Sequence, residues 1–244
     1  MSSRLATRAG SPAGMLCLVI LVVVSIIRYM RMAPIEGVFV AVLLAFSQSM
    51  LHGADEFALL KSKAEAGDVE AQGRLATAYF QGREVAPDPA LALRWAVKPA
   101  EQDDLSCVQM VAMIHFQGKG VKRDLPEASK WFAKAAVLGD ANAAFTLGLM
   151  NDEGQGISKN AVEAFAWYEV SKALSRDVAA TVRYASALEK KLTPQQIGAA
   201  KVRSAEILKQ VERKKDELYE KRLAIMKAAN PQIPIEELRK QLPR

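Results

Sequence analysis

The sequence predicts an all-α fold, an α/α solenoid of about three helical hairpins. Two observations carry that prediction: residue columns that return every 36 positions, and a glycine that divides each period into two helix-forming halves. Trp95, Trp131 and Trp167 keep the interval, as do Gly82, Gly118 and Gly154, then Asp88, Asp124 and Asn160, and Ala92, Ala128 and Ala164. A period of this length marks units that cannot bury an apolar face alone and so stack on their neighbours.

Residues 1–54 precede the repeats and decide where they are expected to reside. Met15 to Ile27 is a nearly unbroken apolar run bounded by Arg8, Arg28 and Arg31, shorter than the ~20 residues that span a bilayer comfortably. A second run, Val38 to Phe46, has the length of a leader-peptide core, with small residues after it at Ser47-Gln48-Ser49 and Gly53-Ala54. Starting at Met30 or Met32 gives a basic start, an apolar core and a cut site before Asp55. The competing reading keeps the first run as a membrane anchor. Both place the repeats outside the cytoplasm, in a periplasm or tethered to an inner membrane.

Residues 55–177 hold the repeats. Leu75, Ala76 and Tyr79, then Val111, Ala112 and His115, fall at i, i+1, i+4, as one helix face requires. Gly118-Lys119-Gly120-Val121 and Gly154-Gln155-Gly156-Ile157 supply left-handed backbone to end that first helix, A. Asp124 or Asn160 then caps the second, B. Helix B presents Ala128, Trp131, Phe132 and Ala135, small residues where helices approach and a large ring to fill the gap. A half unit starts near residue 55, because Gly67 lies two periods before Gly139 and Leu59 holds the tryptophan column.

At these residues the chain resembles the Sel1-like repeats, a branch of the tetratricopeptide-like solenoids. The middle unit carries the likeness best, with Phe116-Gln117-Gly118-Lys119-Gly120-Val121, then Asp124, Ala128, Trp131, Ala135, Ala136 and Gly139. The first unit departs, with Glu84 for the second loop glycine (the column of Gly120 and Gly156), Asp103 for the closing glycine and Pro99 inside helix B. Proline in a helix interior costs about 3 kcal/mol, so that helix is expected to kink or end early.

Residues 178–230 are expected to cap the stack. A helix over roughly 178 to 191 leads to Leu192-Thr193-Pro194-Gln195-Gln196-Ile197, a helix start with threonine at the cap, proline at the first position and glutamine three after the cap. From Lys209 to Lys227 the chain is highly charged, with Val211, Leu218 and Ile225 as a seven-residue stripe. That reads as a protruding or surface helix. The intervening heptad positions are Lys214 and Lys221, which favours an ordinary amphipathic helix over a coiled coil. Asn230-Pro231 ends it, and residues 231–244 form a proline-containing tail.

Charge runs in blocks. Residues 1–54 are net +3, residues 55–177 carry 14 basic and 18 acidic side chains, and residues 178–244 carry 15 and 8. The basic tail alternates in sign and lacks aromatic interleaving, so it reads as a solvated face with no nucleic-acid partner. Cys17 and Cys107 read as small apolar fillers, and the paired cysteines of the secreted Sel1-like proteins are missing throughout. His115 occupies the tyrosine column with no second histidine beside it, so no metal or cofactor is expected. Asp103-Asp104 and Asp152-Glu153 fall at turns where solvated charge is normal. No catalytic residue emerges.

Binding remains. The resemblance implies a concave groove lined by the A helices, which aligns Gly73, Thr77 and Phe80 with Gln109, Met113 and Phe116, and then with Phe145, Leu149 and Asp152. Such a groove would suit an extended or helical peptide. The alternative is that these side chains are covered by the N-terminal half unit or a C-terminal helix. The expected function is an exported or membrane-tethered scaffold binding a protein partner. A cell-envelope hydrolase or ligand-binding protein is the second reading, favoured only if a pocket joins His115 to Asp152 or Glu153.

Overall fold

Aspartate starts five of the six helices in the three repeats, and glycine ends three of them. The computed structural model describes residues 56–242; the two apolar runs and the proposed cut site lie outside them. Three A helices, of 13 residues each, recur at the period: α2 (Val69–Gln81), α4 (Leu105–Gln117) and α6 (Ala141–Glu153). The carboxylates of Asp68, Asp104 and Asp140 accept from the amides of Ala71, Cys107 and Asn142 at 3.0, 2.8 and 2.9 Å, satisfying donors that a helix start leaves open. Gly82, Gly118 and Gly154 close them at φ of 70°, 68° and 76°, where a Cβ is disfavoured.

The B helices are α3 (Pro89–Glu101), α5 (Leu125–Val137) and α7 (Ala161–Leu174), capped by Asp88, Asp124 and Asn160 as the sequence predicts. Those caps also fix the hairpin. Their own amides donate to the carbonyls of Tyr79, His115 and Asn151, each at 2.9 Å, so the start of B is tied to the last turn of A. Each B helix packs on its own A helix and on the next one. The alanine columns make this close approach possible, since Ala92, Ala96, Ala100, Ala128, Ala135 and Ala136 are fully buried. The half unit is α1 (residues 56–65), which packs Phe57 edge-on to Tyr79 and buries Ala64 beside Leu75.

Two departures in the first unit leave the backbone unchanged. Glu84 at φ 65° and Asp103 at φ 72° adopt the left-handed conformation that Gly120 and Gly156, and Gly67 and Gly139, adopt elsewhere, at a strain of about 1 kcal/mol each. The third departure has less effect than expected. α3 neither shortens nor stops at Pro99 but runs to Glu101, matching the length of α5. Pro99, two residues from the end, has no amide to donate one turn back. Its own carbonyl accepts from the amides of Gln102 and Asp104 to close the turn.

The C-terminal segment differs most from expectation. α8 (Ala179–Glu189) packs against α7 and caps the stack. α9 (Pro194–Ala229) opens on the expected capping box and then continues for 36 residues as one helix. It does not protrude along its whole length. It returns across the B helices α7 and α5, burying Ala200, Ser204, Ile207 and Val211 at helical spacing. Burial of Ile207 and Val211 contributes roughly 2 kcal/mol each. The expected stripe breaks at Ile225, which is 61% exposed. The proline-containing tail holds a further helix: α10 (Ile235–Gln241) folds onto α9, with Leu223 and Leu238 buried and Lys227 donating to the carbonyls of Pro231 and Ile233 at 2.8 and 2.7 Å. Among the described residues no helix is long and apolar enough to cross a membrane.

Candidate functional site

The repeats have two faces with different fates. α9 crosses the B helices α7 and α5, and the A side carries the residues aligned by the repeat register. On that side Met113 of α4 is 37% exposed, Gln109 one turn before it is exposed, and Thr77 of α2 is half-buried. Phe80 and Phe116 are half-buried and lean into the main core. Phe116 packs edge-on to Phe132 with ring centres 5.8 Å apart, and the Arg123 guanidinium lies 5.6 Å from its centre. Polar groups flank Met113. The Gln109 amide donates to Asp140 at 2.7 Å, the Gln117 amide to the Met113 sulfur at 3.0 Å, and the Thr77 hydroxyl to the Gly73 carbonyl at 3.0 Å.

The third unit does not extend this surface. Phe145 stacks against Tyr168 and against Tyr184 of α8, at 5.8 and 5.4 Å between ring centres, and Leu149 packs into the same cluster. A covering C-terminal helix was one of the two alternatives in the sequence, and it holds here. Asp152 is half-buried at the end of α6. The apolar A-side residues therefore divide: Phe145 and Leu149 are packing residues beneath α8, while Met113 remains at the surface.

The tryptophan column is structural. Trp167 is buried and packs in the main cluster. Trp131 is half-buried, donates from Nε1 to Glu127 at 2.9 Å and holds the Lys134 ammonium 5.7 Å from its ring centre. A hydrogen bond from Lys130, together with the Trp131 bond, holds the Glu127 carboxyl below its ordinary value against a smaller opposing effect of burial. The loop glycines Gly120 and Gly156 approach the starts of neighbouring B helices. A Cβ on them would stand 3.0 Å from the Ala90 amide and 2.3 Å from the Leu125 Cβ.

The residues weighed for chemistry do not converge. His115 is half-buried with Nδ1 unpartnered, and no hydrogen bond or ion pair joins it to Asp152 or Glu153. Among the described residues, no group of three or more His, Cys, Asp and Glu could hold a metal. Cys107 is buried against α2, and that burial, reinforced by the Asp104 carboxylate, pushes its thiol up to about 12. Such a thiol is a filler rather than a nucleophile. Asp104 is a cap, and Asp103 is not solvated as the sequence suggested. Its carboxylate is only 16% exposed and takes Lys134 of α5 at 3.0 Å and Lys214 of α9 at 2.9 Å. Neither lysine is near Asp103 in sequence, so no local pattern could have revealed the cluster.

Capped α/α hairpins stacked at a fixed period define a helical-repeat protein. Residues 69–104, 108–140 and 141–174 match the Sel1 repeat. The chain thus carries three Sel1 repeats, and Sel1 repeats generally mediate protein–protein interaction. Among solved structures, a protective antigen of uropathogenic Escherichia coli displaying an SLR fold is 26% identical over 64% of this chain, with a TM-score of 0.41; this chain spans 41% of that one. A Sel1 repeat protein from Oxalobacter formigenes is 29% identical over 54% of this chain and 97% of its own, with a TM-score of 0.46. No curated protein matches the chain.

Proposed function

We propose that this protein is a scaffold that holds a segment of a partner protein on the A-side face of its middle repeat, with residues before 55 delivering the repeats outside the cytoplasm, either released or tethered to a membrane. The observation that carries the binding part is Met113. A large, flexible apolar side chain stays 37% exposed on a surface whose other apolar members are half-buried or packed beneath α8, and it is flanked by the amides of Gln109 and Gln117. Methionine adapts to irregular partners, and side-chain amides can match the backbone of an extended peptide.

Met113→Ser tests this. Thermal unfolding is expected to stay within about 0.5 kcal/mol of the parent, because a surface position contributes little. A photo-crosslinking residue placed at position 109 should capture one partner in cells, and that adduct should disappear with Met113→Ser. Unchanged crosslinking would end the reading. Phe116→Ser would not separate the two roles, since Phe116 also packs on Phe132.

Delivery rests on the two apolar runs and the small residues after the second. Intact mass of the chain recovered from its native cells is expected to show a start close to residue 55. A chain retaining both runs in the membrane fraction would make it an anchored scaffold instead. Recovery of the uncut chain from the cytosol would overturn delivery and leave the binding reading untouched.

A further inference from the structure

We propose that Asp103 is a latch that fastens α9 across the B-side face of the repeats, and that the part of α9 beyond Val211, together with α10, is an arm that lifts when the latch opens.

α9 is held in two different ways along its length. From Ala200 to Val211 the contact is a buried apolar stripe, reinforced by Arg203 of α9 on Glu163 of α7 at 3.2 Å. Beyond Val211 the anchor becomes polar: Lys214 reaches Asp103 at the α3–α4 turn. The same carboxylate takes Lys134 of α5, whose ammonium also donates to the Glu101 carbonyl at 2.9 Å. One acidic side chain thus joins three elements. Glu217 is the other charged group on Lys214, at 2.7 Å.

The backbone supplies a second, independent observation. The equivalent positions in the flanking units are Gly67 and Gly139, with φ of 95° and 99°, and Asp103 is left-handed at φ 72°. The repeat needs only glycine at that turn. A side chain held in a strained conformation asks for a reason, and the contact that this carboxylate makes outside its own hairpin, with Lys134 and Lys214, supplies one. Partial burial pushes the Asp103 carboxyl up, and the bonds from Lys214 and Lys134 outweigh it and keep the group below its ordinary value, so it is charged at neutral pH.

Release would be local. Once lifted, residues 212–229 lose the contact with Asp103 and keep short-range support such as the i,i+3 pairs Lys214–Glu217 and Lys215–Glu212 and the α10 contact. A charged segment without tertiary packing frays from its free end, because most helical stability in proteins comes from packing. Its amides would then exchange with solvent, while those held by the apolar stripe would not.

Hydrogen exchange of the full chain, read by mass spectrometry, tests the latch with Asp103→Asn and Asp103→Gly. Asparagine keeps the shape and tolerates the left-handed backbone, and glycine relieves it; both remove the charge. In each variant, exchange over residues 212–229 is expected to rise about tenfold, with residues 194–207 and helices α4 to α7 unchanged. No rise in either variant would show that Asp103 holds nothing. A rise in Asp103→Asn alone would assign the effect to backbone strain, and a rise spread through α4 to α7 would make Asp103 a stability residue; either result overturns the latch.

Discussion

Gly148→Ala is expected to destabilise the repeats by about 2–3 kcal/mol, although helix propensity alone would predict a gain of about 1 kcal/mol from the same change. Gly148 lies inside α6, and a Cβ there would stand 2.3 and 2.4 Å from the Tyr168 ring. That ring has no room to retreat. It is fully buried and bounded by Phe145 and Tyr184. The matching positions in the other units are Ala112 with Phe132 and Ala76 with Ala96, so the A-helix residue shrinks to glycine where the B-helix residue is tyrosine. Urea unfolding of the single and double variants checks the coupling. On a Tyr168→Ala background, Gly148→Ala should cost nothing and restore up to about 1 kcal/mol of helix propensity. Additive losses would show that the ring is not the cause.

Gly156→Ala is expected to cost about 3 kcal/mol and to loosen the third unit from the second. The cost has two parts. Left-handed backbone, here φ 73°, costs an L-residue roughly 1 kcal/mol, and Glu84 shows that the repeat tolerates that part when the side chain points to solvent. The larger part is contact with a neighbour, because the new Cβ would lie 2.3 Å from the Leu125 Cβ and 2.6 Å from its carbonyl carbon. Backbone at a helix start cannot rotate away as a flexible side chain can. Gly120→Ala meets atoms no nearer than 3.0 Å, so its loss should be clearly smaller. Unfolding followed by hydrogen exchange should show α6 and α7 opening ahead of α2 to α5 in Gly156→Ala; an equal effect of both variants would discount the neighbour contact.

Much of the fold was legible because it is written in local chemistry repeated at one period. A capping aspartate, a left-handed glycine and a row of alanines each act within a few residues, so Asp124, Gly118 and Ala128 keep their meaning wherever the chain goes. Pro99 misled because an interior proline need not stop a helix, and α3 continues two residues past it to a turn that the Pro99 carbonyl helps to close. The site was half legible. Register placed Met113 and Phe145 on the same face, but exposure depends on what else arrives there, and Tyr184 of α8 arrives over Phe145 and not over Met113.

The hairpins, their order and the columns that bring them together follow from the residues alone, through short-range capping and a repeat whose units meet the same neighbour each time. The path of α9, the cover over Phe145 and the grouping of Asp103 with Lys134 and Lys214 emerge from long-range packing. Those contacts join residues at separations that no period encodes. They are settled by which buried surfaces remain unfilled once the repeats have stacked.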